Sequence, residues 1–478
     1  MRLAGFIGSS YTVKSRAIAA EELINLFVES AESSETAKTQ AQKSFLWTPG
    51  LSVFSTLADV PRGTLWTGSR MFAVAGNQCY EVHSDGTSTA LFTVAQDANP
   101  ASLAFSQIEL LVVSAGSAYC YNFASATMTD VTALLLGVPV RVEFSDSYFI
   151  VQLRGNRFQM SDLLNGTVWP GTQINEVEKF AEDVVSIIVN HGEPWVFGSQ
   201  RALVYTDTGS DTIFEPIGNA GLIESGCVSP FAPCRVDNTV FWVGIDERGS
   251  CSAWRANGYT PQRISTHAVE IALSSYSRIS ELVSYAYQDG GHLFWCLYVP
   301  GADCTWVYDV KEQLWHKRAF WAGASYVPHH SWNHVFAFGK HLVGDWSSGN
   351  IYEMSQNYLD DAGSTIRRMR RAPIINEEMQ WLYLSPLTID IQAGVAPSVT
   401  LTDGSGNSRP PQVMLRISRD RGNTWGPEQV RDCGFIGEYG TRVIWNRNGR
   451  ARYPVIELTM SDPYPWVIVD AYVGQPNG

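Results

Sequence analysis

A two-strand hairpin recurs along most of this 478-residue chain and constrains its fold more than any other feature. In the first copy, residues 62–94, two apolar runs flank a Gly76-Asn77 pair, as in strands joined by a tight turn. One hairpin cannot bury its own apolar face, so the copies must pack on one another. Comparable hairpins occupy residues 110–122, 147–161, 193–206, 239–255, 292–310 and 340–354.

The spacing of these hairpins predicts a β-propeller. Their turns lie roughly 40 residues apart early in the chain and roughly 50 apart later, as propeller blades do. A composition with 12% aromatic residues and 40 glycines suits an all-β protein with many turns. We therefore expect a propeller of about six or seven blades and about 300 residues, together with a smaller domain.

The two ends of the chain lack the hairpin repeat. From residue 380 onward, alternating strands separated by Gly and Pro turns predict a β-sandwich of about 95 residues. An inserted closed domain needs its own ends to lie close together. We therefore expect residues 1–50 and 380–478 to form one platform domain, with the propeller at 51–356 and a linker at 357–379.

The first 50 residues give weaker signals. Residues 17–29 suit either a helix or a strand, and residues 30–43 suit a polar loop. The opening sequence lacks the pattern of a signal peptide, and no apolar run approaches the ~20 residues of a membrane span. We expect a chain that folds in a cytoplasm.

Charge disfavours one class of function. The chain carries 47 acidic and 34 basic residues, a formal net charge of -13, whereas a protein that binds nucleic acid over its whole surface is basic. The one dense basic group allows three interpretations: a solvated strand, salt bridges between subunits, or a phosphate contact. As the candidate subunit interface we take its four arginines, Arg367, Arg368, Arg370 and Arg371.

The segment from residue 418 to residue 425 matches the Asp-box hairpin, Ser-x-Asp-x-Gly-x-Thr-Trp. In that motif the Ser and Asp side chains bind turn backbone groups and the Trp packs beneath. We predict a structural role for its members, Ser418, Asp420, Gly422, Thr424 and Trp425.

No pattern for cofactor, metal or catalytic chemistry is found. The sequence has no Gly-rich phosphate loop, no Gly-x-Ser-x-Gly and no His-Glu-x-x-His. Its eight cysteines never form a Cys-x-x-Cys pair, so buried free thiols are expected. Four histidines cluster without metal-site spacing and are expected at a surface or interface: His329, His330, His334 and His341.

An ordered set of short motifs at both chain ends resembles the packaged-DNA stabilisation proteins, the tail accessory factors or nozzles of short-tailed bacteriophages. Near the start the matching segments are Asn25–Glu29, Thr48–Leu51, Arg62-Gly63 and Val74–Asn77. Near the end they are Gly437–Gly440, Arg442–Trp445 and Gly449–Arg452.

This resemblance implies a structural, non-enzymatic tail protein in the virion, assembled in the host cytoplasm. It implies a homohexameric ring below the portal and its adaptor proteins that continues the DNA channel, retains the genome and conducts it at ejection. The implied partners are other copies of the chain, the adaptor, tail fibres or spikes, a distal plug or needle, and duplex DNA that passes without tight binding.

Two other functions remain open from the residues alone. The Asp box and the aromatic content suggest a sialidase-like or polysaccharide-degrading propeller, although such enzymes need an arginine triad and arginines are sparse in the blades. The blade pattern also suits a kelch-like binding adaptor, which works as a monomer, whereas the tail function requires a ring.

Overall fold

The computed structural model of the chain describes residues 2–15, 18–31, 43–179, 182–209, 213–218, 221–245, 249–376 and 378–474. Within those residues the regular structure is almost entirely β-strand, with one α-helix, α1 (His267–Ser275), and 3-10 turns at Thr132–Leu134 and Ile279–Glu281. The chain divides into two compact units. The first comprises Met1–Ser52, Asp303–His329 and Met354–Gly478, and the second comprises Val53–Ala302 and His330–Glu353.

The strands are numbered in chain order. The first sixteen are β1 Tyr11–Thr12, β2 Ala20–Ile24, β3 Leu26–Ser30, β4 Lys43–Trp47, β5 Gly50–Thr56, β6 Pro61–Trp66, β7 Met71–Ala75, β8 Gln78–Val82, β9 Ser88–Thr93, β10 Ser102–Phe105, β11 Glu109–Ser114, β12 Ser117–Asn122, β13 Thr127–Asp130, β14 Pro139–Ser145, β15 Tyr148–Leu153 and β16 Arg157–Met160. The next fifteen are β17 Ile174–Glu176, β18 Ser186–Asn190, β19 Glu193–Phe197, β20 Ala202–Asp207, β21 Phe214–Pro216, β22 Leu222–Ile223, β23 Cys234–Val236, β24 Thr239–Ile245, β25 Cys251–Asn257, β26 Thr260–Arg263, β27 Val283–Asp289, β28 His292–Tyr298, β29 Thr305–Asp309, β30 Leu314–Trp321 and β31 Tyr326–Pro328. The last twelve are β32 Ser331–Ala337, β33 Lys340–Asp345, β34 Asn350–Ser355, β35 Arg368–Arg371, β36 Leu382–Tyr383, β37 Leu387–Ile391, β38 Gln412–Ser418, β39 Gln429–Asp432, β40 Val443–Trp445, β41 Arg450–Ala451, β42 Val455–Met460 and β43 Ile468–Val473.

The second unit is built from successive antiparallel blades. Five blades run in sequence order, β6–β9, β10–β13, β14–β17, β18–β21 and β23–β26, and the hairpin β27–β28 follows them. Four of these sheets have four strands, and the β18–β21 sheet gains a fifth because β22 pairs with β20. The second strand of a blade is buried on both faces, as in β7 and β11. On β7, Phe72 and Val74 pack with Leu110 of the next blade, while Met71 and its alternate neighbours pack with strands β32 and β33. This two-sided burial is what makes each hairpin depend on its neighbours.

An early strand completes the last blade. Strand β5 pairs with β34 at the edge of the sheet β32–β33–β34. The amide of Leu57 donates to the carbonyl of Gly349 at 2.7 Å, and the Thr56 hydroxyl donates to Asn350 Oδ1 at 2.8 Å. The blade that closes the series therefore draws its strands from both ends of the propeller sequence.

The first unit is a β-sandwich. One sheet has the order β29–β30–β2–β35–β42–β38–β39, and the other has the order β3–β4–β43–β37–β40. Their facing sides bury a single apolar core in which Leu26 and Phe45, from the start of the chain, pack with Trp445 and Trp466, from its end. The predicted all-β fold, a propeller together with a β-sandwich built from both chain ends, is confirmed.

The predicted boundaries differ from these units in two places. Residues 357–379, expected to be a linker, contain β35, which lies between β2 and β42 in the first sheet. Residues 303–329, expected to be part of the propeller, belong to the sandwich unit, because β30 pairs with β2 there. In the segment 17–29, residues 20–24 and 26–29 lie in strands β2 and β3, and most of the predicted loop at 30–43 lies outside the described residues.

Asn25 forms the corner at which the chain leaves one sheet and enters the other, between β2 and β3. Its backbone is left-handed, with φ 57°, and the residue is 1% exposed. Its amide nitrogen donates to the carbonyls of Ala319 at 2.8 Å and Arg367 at 2.9 Å, and its Oδ1 accepts from the Ala319 amide at 2.9 Å. One side chain therefore joins three separate segments of the sandwich.

Replacing Asn25 should destabilise the sandwich strongly. In Asn25→Ala three buried backbone partners lose their bonds, and we expect the free energy of unfolding to fall by at least about 3 kcal/mol, since each unpaired buried group costs about 1–3 kcal/mol. Asn238→Ala is the matched control, because Asn238 is also left-handed, with φ 60°, but is exposed. Equal losses in urea unfolding of the two variants would contradict this role.

Candidate interaction sites

The arginine segment lies mainly inside the sandwich. Strand β35 alternates its side chains, and Arg368 and Arg370 are both 0% exposed. The Arg370 guanidinium donates to the carbonyls of Phe6 at 2.8 Å, Gly5 at 3.0 Å and Ser9 at 3.1 Å. Burial lowers the pKa of Arg370 to about 10, which leaves the group charged at neutral pH. Arg370 thus satisfies the irregular backbone of the first residues.

Arg368 lies in a second buried polar group of the same unit. Burial lowers its pKa to about 10, opposed by the carboxylate of Asp361. Arg318, 1% exposed, donates to the carbonyl of Pro49 at 2.8 Å and lies 3.0 Å from His329 Nε2. The Arg318 guanidinium therefore supports the turn at Pro49, and the Arg368 guanidinium donates to carbonyls of the segment before β35.

The predicted subunit-interface role is wrong for Arg368 and Arg370, because both side chains are enclosed within one chain. Arg371 is partly exposed, but it binds Glu22 at 2.8 Å and Glu457 at 2.7 Å. Arg367 is half-buried, and its Cζ lies 4.4 Å from the ring centroid of Trp321. An interface role remains a prediction only for Arg367 and Arg371.

The Asp box forms a closed turn after β38. Asp420 Oδ1 accepts from the Thr424 amide at 2.8 Å, and Oδ2 accepts from the Thr424 hydroxyl at 2.6 Å. Ser418 Oγ accepts from the amide of Gly422, whose φ of +85° favours glycine, at 2.8 Å. The ring of Trp425 lies 5.1 Å from the Cζ of Arg371. The turn thereby places an aromatic ring against the arginine that binds Glu22 and Glu457.

The histidines and cysteines occupy packing positions. His334 Nε2 lies 3.0 Å from His341 Nδ1, and burial together with His341 lowers the pKa of His334 to about 3. Among the described residues, no group of three or more His, Cys, Asp or Glu is arranged to hold a metal ion. All eight cysteines are free thiols, and only Cys234 is not fully buried. Burial raises the pKa of Cys234 to about 11, which disfavours the reactive thiolate.

A cavity of about 1040 Å³ in the propeller bears on the enzyme alternative. Three arginines line it, Arg62, Arg154 and Arg278. Arg62 is 3% exposed and is bound to the carbonyl of Gly76 and to Asp97, and Arg278 is paired with Glu281. A sialidase needs three guanidinium groups directed at one carboxylate, and two of these three are already engaged within the chain.

Two protein-family models match the chain in order along its length. A family model described as "Bacteriophage P22 Gp10, beta-propeller" matches residues 20–359, and one described as "Bacteriophage P22 Gp10, beta-sandwich" matches residues 367–474. The chain belongs to the bacteriophage P22 Gp10 family. The predicted resemblance to packaged-DNA stabilisation proteins is confirmed, and family membership gives this chain the general role of a phage tail and DNA-stabilisation protein of the virion.

The chain is also similar to solved structures of other proteins, at low sequence identity and with TM-scores below 0.5. The WD40 propeller domain of Doa1 is 9% identical, with a TM-score of 0.41, over 64% of this chain and 97% of that domain. The N-terminal domain of Nup159 is 11% identical, with a TM-score of 0.40, over 70% and 99%. The Cps50 (Swd1) propeller of Myceliophteria thermophila is 8% identical, with a TM-score of 0.43, over 64% and 99%. No curated protein matches the chain by sequence.

The Gp10-family sandwich exposes one aromatic feature that the sequence interpretation did not identify. Trp381 and Tyr383 are 48% and 67% exposed, and Leu382 between them is buried. The signal was present as a two-residue alternation in which the larger aromatic residues occupy the outward positions.

None of the described helices is long and apolar enough to cross a membrane.

Arg370 should anchor the start of the chain. In Arg370→Met the carbonyls of residues 5, 6 and 9 lose a buried donor, and we expect the free energy of unfolding to fall by at least about 3 kcal/mol, since each unpaired buried group costs about 1–3 kcal/mol. Tryptic cleavage after the exposed Lys14 should accelerate. Arg367→Met, half-buried and directly before the same strand, is the control and should change stability by about 1 kcal/mol or less. Unchanged cleavage in Arg370→Met would refute the anchor.

The Asp box predicts a pH dependence. Hydrogen bonds from the Thr424 hydroxyl and amide, and then from Ser418, lower the pKa of Asp420 to about 2. A lowered folded-state pKa stabilises the protein above the unfolded pKa of about 3.9, and this stabilisation is lost as pH falls towards 2. Asp420→Asn should therefore lower Tm at pH 7, with the difference from wild type narrowing below about pH 4. A Tm difference between the two proteins that stays constant from pH 7 to pH 2 would contradict this dependence.

Proposed function

We propose that this chain forms a closed homo-oligomeric ring in the phage tail, of six subunits as expected for the family, below the portal and its adaptor. In this position it continues the DNA channel, retains the packaged genome and conducts it at ejection. The observation that carries the proposal is the match of both Gp10 modules, in order and over most of the chain.

A tubular ring requires a head-to-tail interface that closes on itself. Such an interface needs a rigid body, since a flexible one would lose more conformational entropy on assembly. The sandwich unit meets this need, because its core combines residues from before, within and after the propeller sequence. We therefore assign the ring contacts to this unit.

The charge of the chain suits a channel that releases its DNA. A surface that bound many phosphates would release counterions and retain the duplex more tightly with each contact. The chain has 47 acidic against 34 basic residues, and two arginines of its one basic cluster are buried. We propose that carboxylates dominate the lumen and that DNA passes without tight binding.

The remaining partners in this proposal are the adaptor above and the fibres, spikes or distal plug below. Two observations, one on assembled particles and one on purified protein, would separate it from a monomeric adaptor or an enzyme. The chain would appear as a ring on the tail axis, and purified protein would leave capsular and sialylated polysaccharides intact.

Two measurements test the proposed ring and the proposed weak binding of DNA. Purified chain should sediment as a closed oligomer or be located as a ring by electron microscopy of particles. Its affinity for duplex DNA at physiological salt should be no tighter than the non-specific range, about 10⁻⁴–10⁻⁶ M. A monomer at all concentrations, absent from the tail axis of particles, would contradict the ring, and nanomolar salt-sensitive DNA binding would contradict the proposed lumen.

A further inference from the structure

The exposed aromatic feature is a two-stranded ribbon on the sandwich unit. Strands β36 and β41 pair through Leu382 with Ala451 and Tyr383 with Arg450. The inward side chains of Leu382 and Ala451 are 8% and 2% exposed. Alternation places Trp381 and Tyr383 on the opposite, outward side, next to Arg450 and Arg452. We call these four outward residues the ribbon face.

The two arginines of the ribbon face are held by stacking and by nothing else in the described part of the chain. The Cζ atoms of Arg450 and Arg452 lie 4.7 Å and 4.9 Å from the ring centroid of Trp381. Both side chains are exposed, and no carboxylate of the described residues pairs with them. Stacked guanidinium groups keep their in-plane donors free, so the face presents fixed donors ready for a carboxylate.

The composition of this face is that of an interface centre. Trp, Tyr, Met and Arg are enriched at protein interfaces, and Lys, Glu and Asp are depleted there. Met379, 62% exposed, lies in the turn two residues before Trp381. Both strands of the ribbon are short, and among the described strands they pair with each other alone. A preformed face with rigid aromatic side chains loses little conformational entropy when it is covered.

We propose that the ribbon face binds a second copy of this chain, and that the surface it meets on that copy is acidic. This inference rests on the proposed ring and names one of its contacts. Charge complementarity favours a copy as the occupant, because the face carries two unpaired arginines while the whole chain carries a net charge of -13. A basic face meeting an acidic surface elsewhere on the next copy is a head-to-tail contact, which is what a ring requires.

Duplex DNA is a less suitable occupant of this face. Two arginines supply few phosphate contacts, and the adjacent large aromatic rings offer a duplex no stacked base that is accessible from outside. A neighbouring protein surface uses both features, since it covers the rings and supplies carboxylates to the arginines.

The test uses the full chain and reverses the two unpaired charges. In Arg450→Glu with Arg452→Glu, the dissociation constant of self-assembly, measured by sedimentation, should rise about 30-fold or more, as for loss of an interface hot spot. A second variant, Tyr383→Ser, should act in the same direction without a change of charge. The matched controls on the same unit are Arg442→Glu and Tyr439→Ser, both at exposed positions, and they should leave assembly within about twofold. Thermal melting of each variant verifies that it is folded.

The possible outcomes of this experiment distinguish failure of the ribbon contact from failure of the proposed ring. If wild type forms the ring and the ribbon variants assemble unchanged, the ring stands and the ribbon contact is overturned. If wild type does not assemble and is not found as a ring in particles, the proposed function fails and the inference fails with it. If the variants assemble normally but lose binding to duplex DNA or to another tail protein, the ribbon face has a different occupant and the inference is again overturned.

Discussion

The sandwich depends on the corner at Asn25, where one strand run is divided between two sheets. The left-handed backbone turns the chain, and the side-chain amide binds Ala319 and Arg367, which arrive from segments about 300 residues later. Closing such long loops costs conformational entropy, which grows only slowly with loop length, so a few well-satisfied buried bonds can offset it. Without this corner, β2 and β3 would continue as a single strand and the second sheet would lose its first member.

Buried arginine side chains, like the Asn25 side chain, hydrogen-bond to backbone groups that lie outside regular strands. Residues 5–9 are not a strand and offer carbonyl groups that no sheet satisfies, whereas a guanidinium carries five donors in one plane. Arg370 binds three of those carbonyls and lies over the ring of Phe45, which also belongs to the sandwich core. The desolvation of the charge is tolerated because nearly every donor is used. A local window of sequence cannot reveal this, since the acceptors lie more than 360 residues away.

The parts of the fold that could be predicted are those that produce a short-range periodic pattern in the sequence. Hairpin alternation identified the blades, and the Asp-box spacing identified the turn at Ser418. The domain boundaries near 303–329 and 357–379 could not be derived from short-range periodicity, because they depend on the long-range pairing of β30 and β35 with β2. The structure also explains two of the motif residues on which the family resemblance was based. Position 50 requires glycine, because a Cβ there would lie 2.3 Å from the carbonyl oxygen of Asp360. Arg62 donates hydrogen bonds to the backbone carbonyls of Gly76 and Asn99. The ribbon face carried an alternation signal, but its exposure could not be read from sequence, because apolar residues usually mark a core.

The burial of a charged side chain decides whether it can act on a partner. Among the described residues, eight carboxylates and five lysine or arginine side chains are buried, so the acidic excess persists on the accessible surface. Many of the remaining arginines, such as Arg70, Arg371 and Arg409, already bind a carboxylate of their own chain. Carboxylates therefore predominate among the accessible charges, while an accessible arginine without a carboxylate partner in its own chain is a group able to select a contact. An unpaired arginine that stacks on an exposed tryptophan has lost part of its rotamer freedom before any partner arrives, and it gains most from a carboxylate on a neighbouring acidic chain.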